Sequence, residues 1–363
     1  MDQTDPVIVF NEQGICQYCL EAEKLLPNYT FSNAQVEENL SHIKHKVLDA
    51  KKGKYDCIVG LSGGVDSSYV AYLAVKKLGL NPLAVHFDNG WNSDIAVSNI
   101  HNIVEALNLD LETYVVDWEE FRELQKSFLK ASVVDVELLT DHAIQAVIEN
   151  IAKKHRIKYA LSGGNYVTEH GLPQSWYWRN KRDKTNIVNI HKAFSKKKLR
   201  SFPFLGTLKS KLRHKLGYGL KSIQILNFVN YDKYEALEII KSELSWKDYG
   251  GKHRESTWTK FYQDFYLINK FNIDKRKAHY SALIRNNRIS REDAILAISK
   301  EPLGETEGKE LLQYVLKKLQ LSEAEWQKII ASERKEHDSY GSDNDLINKL
   351  NGFRSSSAKT NWP

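Results

Sequence analysis

The residues best suited to chemistry stand together as Ser62, Gly63, Gly64, Val65, Asp66, Ser67 and Ser68. Two adjacent glycines let backbone amides approach an anion closely and adopt angles closed to other residues. Three hydroxyls add donors, and one carboxylate can help hold a magnesium ion. Where such a segment turns from a strand into a helix, the first amides and the dipole behind them favour phosphate oxygens. The loop is not a Walker A motif. No G-x-x-x-x-G-K-[ST] occurs in the chain, so the lysine that grips β- and γ-phosphates is missing. Serines, glycines and one acid instead suit holding a departing pyrophosphate. The bland alternative is an ordinary glycine-rich turn, and seven residues of the right type in this context argue against it.

The elements around the loop supply that context. Residues 55–61 form a short apolar run of buried-strand length. A helix is expected from Asp66 to Leu78, stopped at Gly79. Further strands are expected at 83–87, 111–116, 158–162 and 222–229, with helices at 94–107 and from Thr140 as cap to about 155. Strands alternating with helices predict an α/β fold, a parallel five-stranded sheet covered by helices on both faces. In such sheets ligands bind beyond the C-terminal strand ends. Gly163, Gly164 and Asn165 therefore belong to the same edge as the serine-glycine loop. The reading divides the chain into an N-terminal segment 1–45, a nucleotide-type domain 46–231 with an insertion 171–221, a mostly helical region 232–340 and a loose tail 341–363.

Composition narrows the class. At 363 residues, with 42% hydrophobic and 27% charged residues, the chain reads as an ordinary globular protein. No uncharged apolar run approaches the length of a membrane span, and the first residues show no secretory leader. Three cysteines make no disulfide framework, so a cytoplasmic setting is expected. The net charge of +6 is unevenly placed. Residues 184–231 carry eleven Lys or Arg and no acid, leaving the rest of the chain at −5. That block concentrates anions. An anionic small molecule, an acidic protein, nucleic acid, a lipid surface or simple solvation would each satisfy it. Cys16 and Cys19 have metal-knuckle spacing and form a candidate zinc pair, although structural zinc takes four ligands. His42 and His45 read as surface residues of a helix, Cys57 as core, and Lys275, Arg276 and Lys277 as a solvated face.

The loop resembles the PP-loop of the ATP-pyrophosphatase superfamily. Five further stretches, 88–93, 140–143, 162–165, 191–194 and 248–256, together with 274–279, are similar to the N-acetyl sugar amidotransferase family. The resemblance runs from about residue 4 to about 300. It implies an enzyme that spends ATP, with Mg²⁺, to convert a sugar N-acetyl group into an acetamidino group, in surface-polysaccharide and nonulosonic acid pathways. It also implies a separate glutaminase subunit supplying ammonia and an anionic N-acetyl sugar substrate, acidic or nucleotide-linked, with no nucleic-acid partner expected. A tRNA-thiolating enzyme shares the loop and is the alternative, but would need a sulfur-carrying cysteine near it. A third reading is a basic nucleotide-binding scaffold without turnover.

The resemblance assigns expected roles. Asp66 and Ser67 are catalytic candidates. Phe87 and Asp88 end the second strand where the superfamily places adenine, so Asp88 suits an ATP contact, against a simple loop role. Glu169 has the spacing of a metal-binding acid in ammonia-using NAD synthetases, which makes it a Mg²⁺ ligand candidate beside Asp66. Lys252, His253 and Glu255 follow two glycines and suit an anion or ammonia site, against ordinary structural hydrogen bonding. Trp176, Trp178 and Arg179 suit a sugar face and its carboxylate, against simple loop anchoring. Asp141 suits either the site or the first turn of a helix.

Overall fold

The structure is a computed structural model that describes residues 1–217, 219–249 and 255–344. Helices α1 (Gln17–Leu25) and α2 (Asn33–Asp49) precede the sheet. There follow β1 (Cys57–Gly60), α3 (Val65–Tyr72), β2 (Pro82–Asp88), α4 (Asp94–Leu107), β3 (Asp110–Val115), α5 (Trp118–Ala131), α6 (Leu138–His155), β4 (Tyr159–Ser162) and the short α7 (Tyr166–Glu169). Helices α8 (Lys184–Phe194) and α9 (Thr207–Lys215) lead to β5 (Lys221–Gln224) and α10 (Lys233–Leu244). The chain then runs through α11 (Thr257–Phe261), α12 (Leu267–Phe271), α13 (Lys275–Arg285), α14 (Arg291–Ser299), α15 (Glu305–Leu319) and α16 (Glu323–Ala331).

The five strands are all parallel, in the order β3-β2-β1-β4-β5. The expected α/β class is thus the one observed. The chain steps outward from β1 to β2 and β3, then returns to place β4 on β1's other side. The switch point of the sheet therefore falls between β1 and β4, where the loops after both strands open a crevice.

Strand alternation sorts side chains into two cores. Ile58 of β1 and Leu83, Val85 and Phe87 of β2 face one side, with α5, α6 and the aromatics Trp258, Phe261, Tyr262, Tyr266 and Trp326. Cys57 and Val59 face the other, with Val70, Ile100, Ile103, Ala236 and Ile240 from α3, α4 and α10. β1 and β2 are buried along almost their whole length because both faces are covered, whereas the edge strand β3 exposes every second residue.

Three local expectations differ. The last strand ends at Gln224, and 225–228 form a 3₁₀ turn with Ile225 and Leu226 buried. Asn227 turns there to accept the Tyr166 amide at 2.7 Å, tying β5's exit to α7. Thr140 does not cap α6, which begins two residues earlier after Glu137. The residues 275–277 are not a solvated face. Lys275 lies 4.9 Å from the Tyr262 ring centre and burial pushes its pKa down, while Arg276 pairs with Asp274 at 2.7 Å and Lys277 with Asp2 at 2.7 Å. Three positive charges in sequence look solvated until the fold supplies each with its own partner.

Candidate active site

β1 runs out at Gly60, and the chain turns through Ser62, Gly63 and Gly64 into α3. Gly63 has φ +78°. A Cβ there would stand 2.6 Å from the Ala96 carbonyl oxygen of α4, so neither the angle nor the space admits a side chain. The Gly63 carbonyl accepts the Trp246 indole N–H at 2.9 Å and lies 3.5 Å from the Asn99 amide nitrogen. Asn99 in turn exchanges two bonds with Lys247, at 2.8 and 2.7 Å. The loop is thus fixed by α4 and by the segment after α10.

The hydroxyls divide by role. Ser62 is exposed, and its Oγ lies 3.1 Å from Ser67 Oγ and accepts the Gly64 amide at 3.2 Å. Ser62 and Ser67 both line the cavity. Ser68 is turned inward, fully buried, and donates to the Gly64 carbonyl at 2.7 Å. The early amides of α3 have no partner within the helix, which is where helices receive anions, and that of Val65 meets Tyr249.

A smaller cavity of about 230 Å³ is lined by Ser62, Gly64, Val65, Asp66 and Ser67 from the loop, and by Gly163, Gly164 and Glu169 beyond β4. Lys233, Tyr249 and Glu255 complete it. Gly163 must be small, since a Cβ would come within 3.0 Å of Asp66 Cβ. Asp66 accepts a hydrogen bond from the Tyr231 hydroxyl. Burial, the Asp66 charge and that bond hold the Tyr231 phenol protonated, pushing its pKa far up. Tyr249 is likewise pushed up, by burial and by Glu255, and its oxygen receives the Val65 amide.

The donor set fits a magnesium ion. Asp66 and Glu169 are carboxylates on one cavity beside a phosphate-type loop, and magnesium is usually held by one or two carboxylates with waters and phosphate oxygens rather than an all-protein cage. Among the described residues no group of three or more His, Cys, Asp or Glu could hold a metal by itself. The Cys16 and Cys19 sulfurs lie 3.5 Å apart, and His42 and His45 are exposed on α2. Only two thiols are therefore together, and zinc is not supported at this pair.

The larger cavity, about 1510 Å³, begins at the same strand ends. Gly60, Ser62, Val85, His86 and Phe87 line it, as do Ser162 and Gly163. Its far wall carries Arg179, Lys181, Arg182, Lys211 and Lys221. Lys181 is committed to Asp135 at 2.5 Å and Asp141 at 3.0 Å. Burial alone would lower its pKa, but those two acids push it up. Asp141 is thereby a partner for Lys181 on the cavity wall. Arg182 and Arg213 both reach Glu149, at 3.3 and 3.4 Å.

Several expected site residues take other positions. Asp88 accepts from the Gly90 amide at 2.8 Å and from Asn92 at 3.1 Å, holding the loop after β2 rather than facing the cavity. The neighbour that faces it is His86, whose Nδ1 donates to the Leu61 carbonyl at 2.8 Å while Nε2 accepts from Asn92 at 3.0 Å. Strand alternation could have pointed to His86, two residues before Asp88. Asn165 is buried as the cap of α7, accepting the Thr168 amide at 2.8 Å. Trp176 is wholly buried in the core and Trp178 stacks on His337 at 5.0 Å, so neither offers a sugar face. Arg179 does line the cavity. Lys252 and His253 lie outside the described residues. Lys233 and Tyr231 carried no sequence signal, and Tyr249 only its place in the stretch 248–256, because each reaches the loop through tertiary folding.

Residues 35–163 match the NAD synthase family, and residues 255–354 match the family described as LPS biosynthesis protein WbpG-like, C-terminal domain. An uncharacterized protein of Methanocaldococcus jannaschii is 33% identical over 121 residues, 33% of this chain and 42% of that protein. The glutamine-hydrolyzing GMP synthase of Thermotoga maritima is 26% identical over 162 residues, 43% of this chain and 30% of the synthase. The NH₃-dependent NAD⁺ synthetase of Halobacterium salinarum is 29% identical over 153 residues, 39% of this chain and 56% of the synthetase. The chain thus spans 30–56% of the length of these relatives. Among solved structures, the NH₃-dependent NAD synthetase of Campylobacter jejuni aligns with TM-score 0.31 at 15% identity, covering 58% of this chain and 93% of that one.

The parallel sheet, the serine-glycine loop and the sequence matches support a PP-loop protein of the ATP-using, ligase-like class. The NAD synthase match over residues 35–163 and the WbpG-like match over residues 255–354 support the resemblance to the N-acetyl sugar amidotransferase family. Among the described residues no helix is long and apolar enough to cross a membrane.

Proposed function

We propose that the protein adenylates the carbonyl oxygen of an N-acetyl group on an anionic sugar and lets ammonia displace the AMP. The bond between the α- and β-phosphates breaks, pyrophosphate leaves, and the carbonyl oxygen departs with AMP. An amide carbon is a poor electrophile because its nitrogen donates into it. Adenylation turns the oxygen into a leaving group, and ammonia then gives the acetamidino sugar, AMP and pyrophosphate. Such chemistry asks for positioning and charge neutralisation more than for a covalent nucleophile.

The observation that carries this reading is that the two cavities adjoin at the serine-glycine loop. Ser62, Ser67 and Gly163 line both. The anion-binding turn therefore shares a wall with a space roomier than ordinary ligand sites and large enough for a second substrate. Ser62, Ser67 and the first α3 amides hold the departing diphosphate. Asp66 and Glu169 would hold magnesium, which neutralises phosphate charge when bound. Arg179 and Lys211 attract the acidic acceptor. Ammonia comes from a separate glutaminase. The thiolating alternative is disfavoured because the Cys57 thiol is fully buried in β1 and burial pushes its pKa well up.

The test uses ATP, ammonium and a panel of N-acetylated sugar acids, free and nucleotide-linked. AMP and pyrophosphate should form only with both ammonium and the right acceptor, whose mass changes by oxygen exchanged for NH. Asp66→Ala or Ser67→Ala should lower turnover by about 10²-fold or more. Formation of ADP, or full turnover in either variant, would overturn the reading.

A further inference from the structure

Asp66 is on the first turn of α3, half-exposed to the smaller cavity, and Tyr231 reaches it from the far side. Tyr231 belongs to the turn between β5 and α10 and is 3% exposed. Its ring lies in the core with Val70, Ile225 and Ala236, 5.9 Å from the Tyr69 ring. The backbone is pinned there too, since the Tyr231 amide donates to the Val229 carbonyl at 2.8 Å and the next residue, Asp232, caps α10. A ring so held has no freedom to take its hydroxyl elsewhere. The hydroxyl meets Asp66 Oδ1, and the charge of Glu169 also bears on it.

We propose that Tyr231 is a positioning residue for a divalent metal at Asp66. Its hydroxyl occupies one carboxylate oxygen and thereby turns the other toward the cavity that Asp66 shares with Glu169. Magnesium demands near-ideal geometry, so a carboxylate free to rotate about its χ angles binds it less well than one already set. Groups that orient a metal ligand typically change metal affinity by about 10- to 100-fold when removed. Tyr231 is thus specific to the metal step, and its ring separately serves the core. The inference rests on the metal assignment made under Proposed function.

Tyr231→Phe separates the two roles, because the ring remains and only the hydroxyl goes. Binding of α,β-methylene ATP is measured against magnesium concentration, and Mn²⁺ binding is followed directly by electron paramagnetic resonance, neither needing an acceptor or turnover. In Tyr231→Phe the metal concentration for half-maximal binding should rise about 10- to 100-fold while the melting temperature without metal stays near the parent's. Asp66→Ala should abolish the metal dependence. Should Asp66→Ala remove it and Tyr231→Phe leave it unchanged, the positioning role is overturned while the site stands. Should Asp66→Ala itself bind metal normally, the metal assignment falls, and the inference with it. A large loss of thermal stability in Tyr231→Phe without a metal shift would assign the bond to folding alone and also overturn it.

Discussion

At Gly63 two independent constraints coincide, a positive φ and a backbone oxygen 2.6 Å from where a methyl would stand. The first alone costs a non-glycine residue about 1–2 kcal/mol. The second cannot be relieved by rotating a side chain, since the obstacle is the main chain of α4. Gly63→Ala should therefore lower stability by at least about 1–2 kcal/mol, read as a fall in denaturation midpoint, and should weaken nucleotide binding further than that loss explains. A variant that keeps both would mean the loop can be rebuilt without its native angle. The same scale separates the three serines: Ser62 and Ser67 face the cavity, whereas Ser68 is fully buried, and both Ser67 and Ser68 donate to the Gly64 carbonyl.

Helices and strands show what patterning can and cannot carry. The hydrophobic runs placed four of the five strands within a few residues, because burial on both faces leaves a mainly apolar signature in β1 and β2. The serine-glycine loop was equally legible, since its glycines answer local geometry. Sequence left Asp88 between an ATP contact and a loop role, and its carboxylate is used by a turn two residues on, while Tyr231 was invisible because it meets Asp66 across 165 residues. A second long-range contact shows the same limit. Glu120 of α5 is 4% exposed and accepts the amides of Arg200, Ser201 and Phe202, at 2.8 to 3.2 Å. Burial would raise its pKa, yet those amides hold it below the ordinary value of 4.5. Its contribution is thus fully present above about pH 4.5 and drains away as the pH falls through the lower folded value. Glu120→Gln should cost about 1–3 kcal/mol at neutral pH, and the gap from the parent should narrow on acidification in chemical denaturation. An unchanged gap at low pH would show that the charge is not what the three amides require.

Across the molecule, charge is distributed with a purpose that the net value hides. The +11 stretch supplies Lys211 and Lys221 to the cavity wall, alongside Arg179 just before it. Lys181 and Arg182 are committed to buried acids, but Arg179 and Lys211 have no ion pair among the described residues. Arg179→Ala and Lys211→Ala should each raise KM for an acidic acceptor several-fold, on the order of tenfold, with kcat little changed and with a flatter dependence on salt. Equal loss for a neutral N-acetyl sugar would show that these cations shape the fold instead of selecting charge. The indole of Trp246 and the amide of Asn99, converging on one loop carbonyl, have a consequence of another kind. A cradle already set before its guest arrives welcomes the by-product as readily as the fuel. In the proposed reaction, then, added pyrophosphate should compete with ATP for the same turn, which inhibition measured against ATP concentration checks.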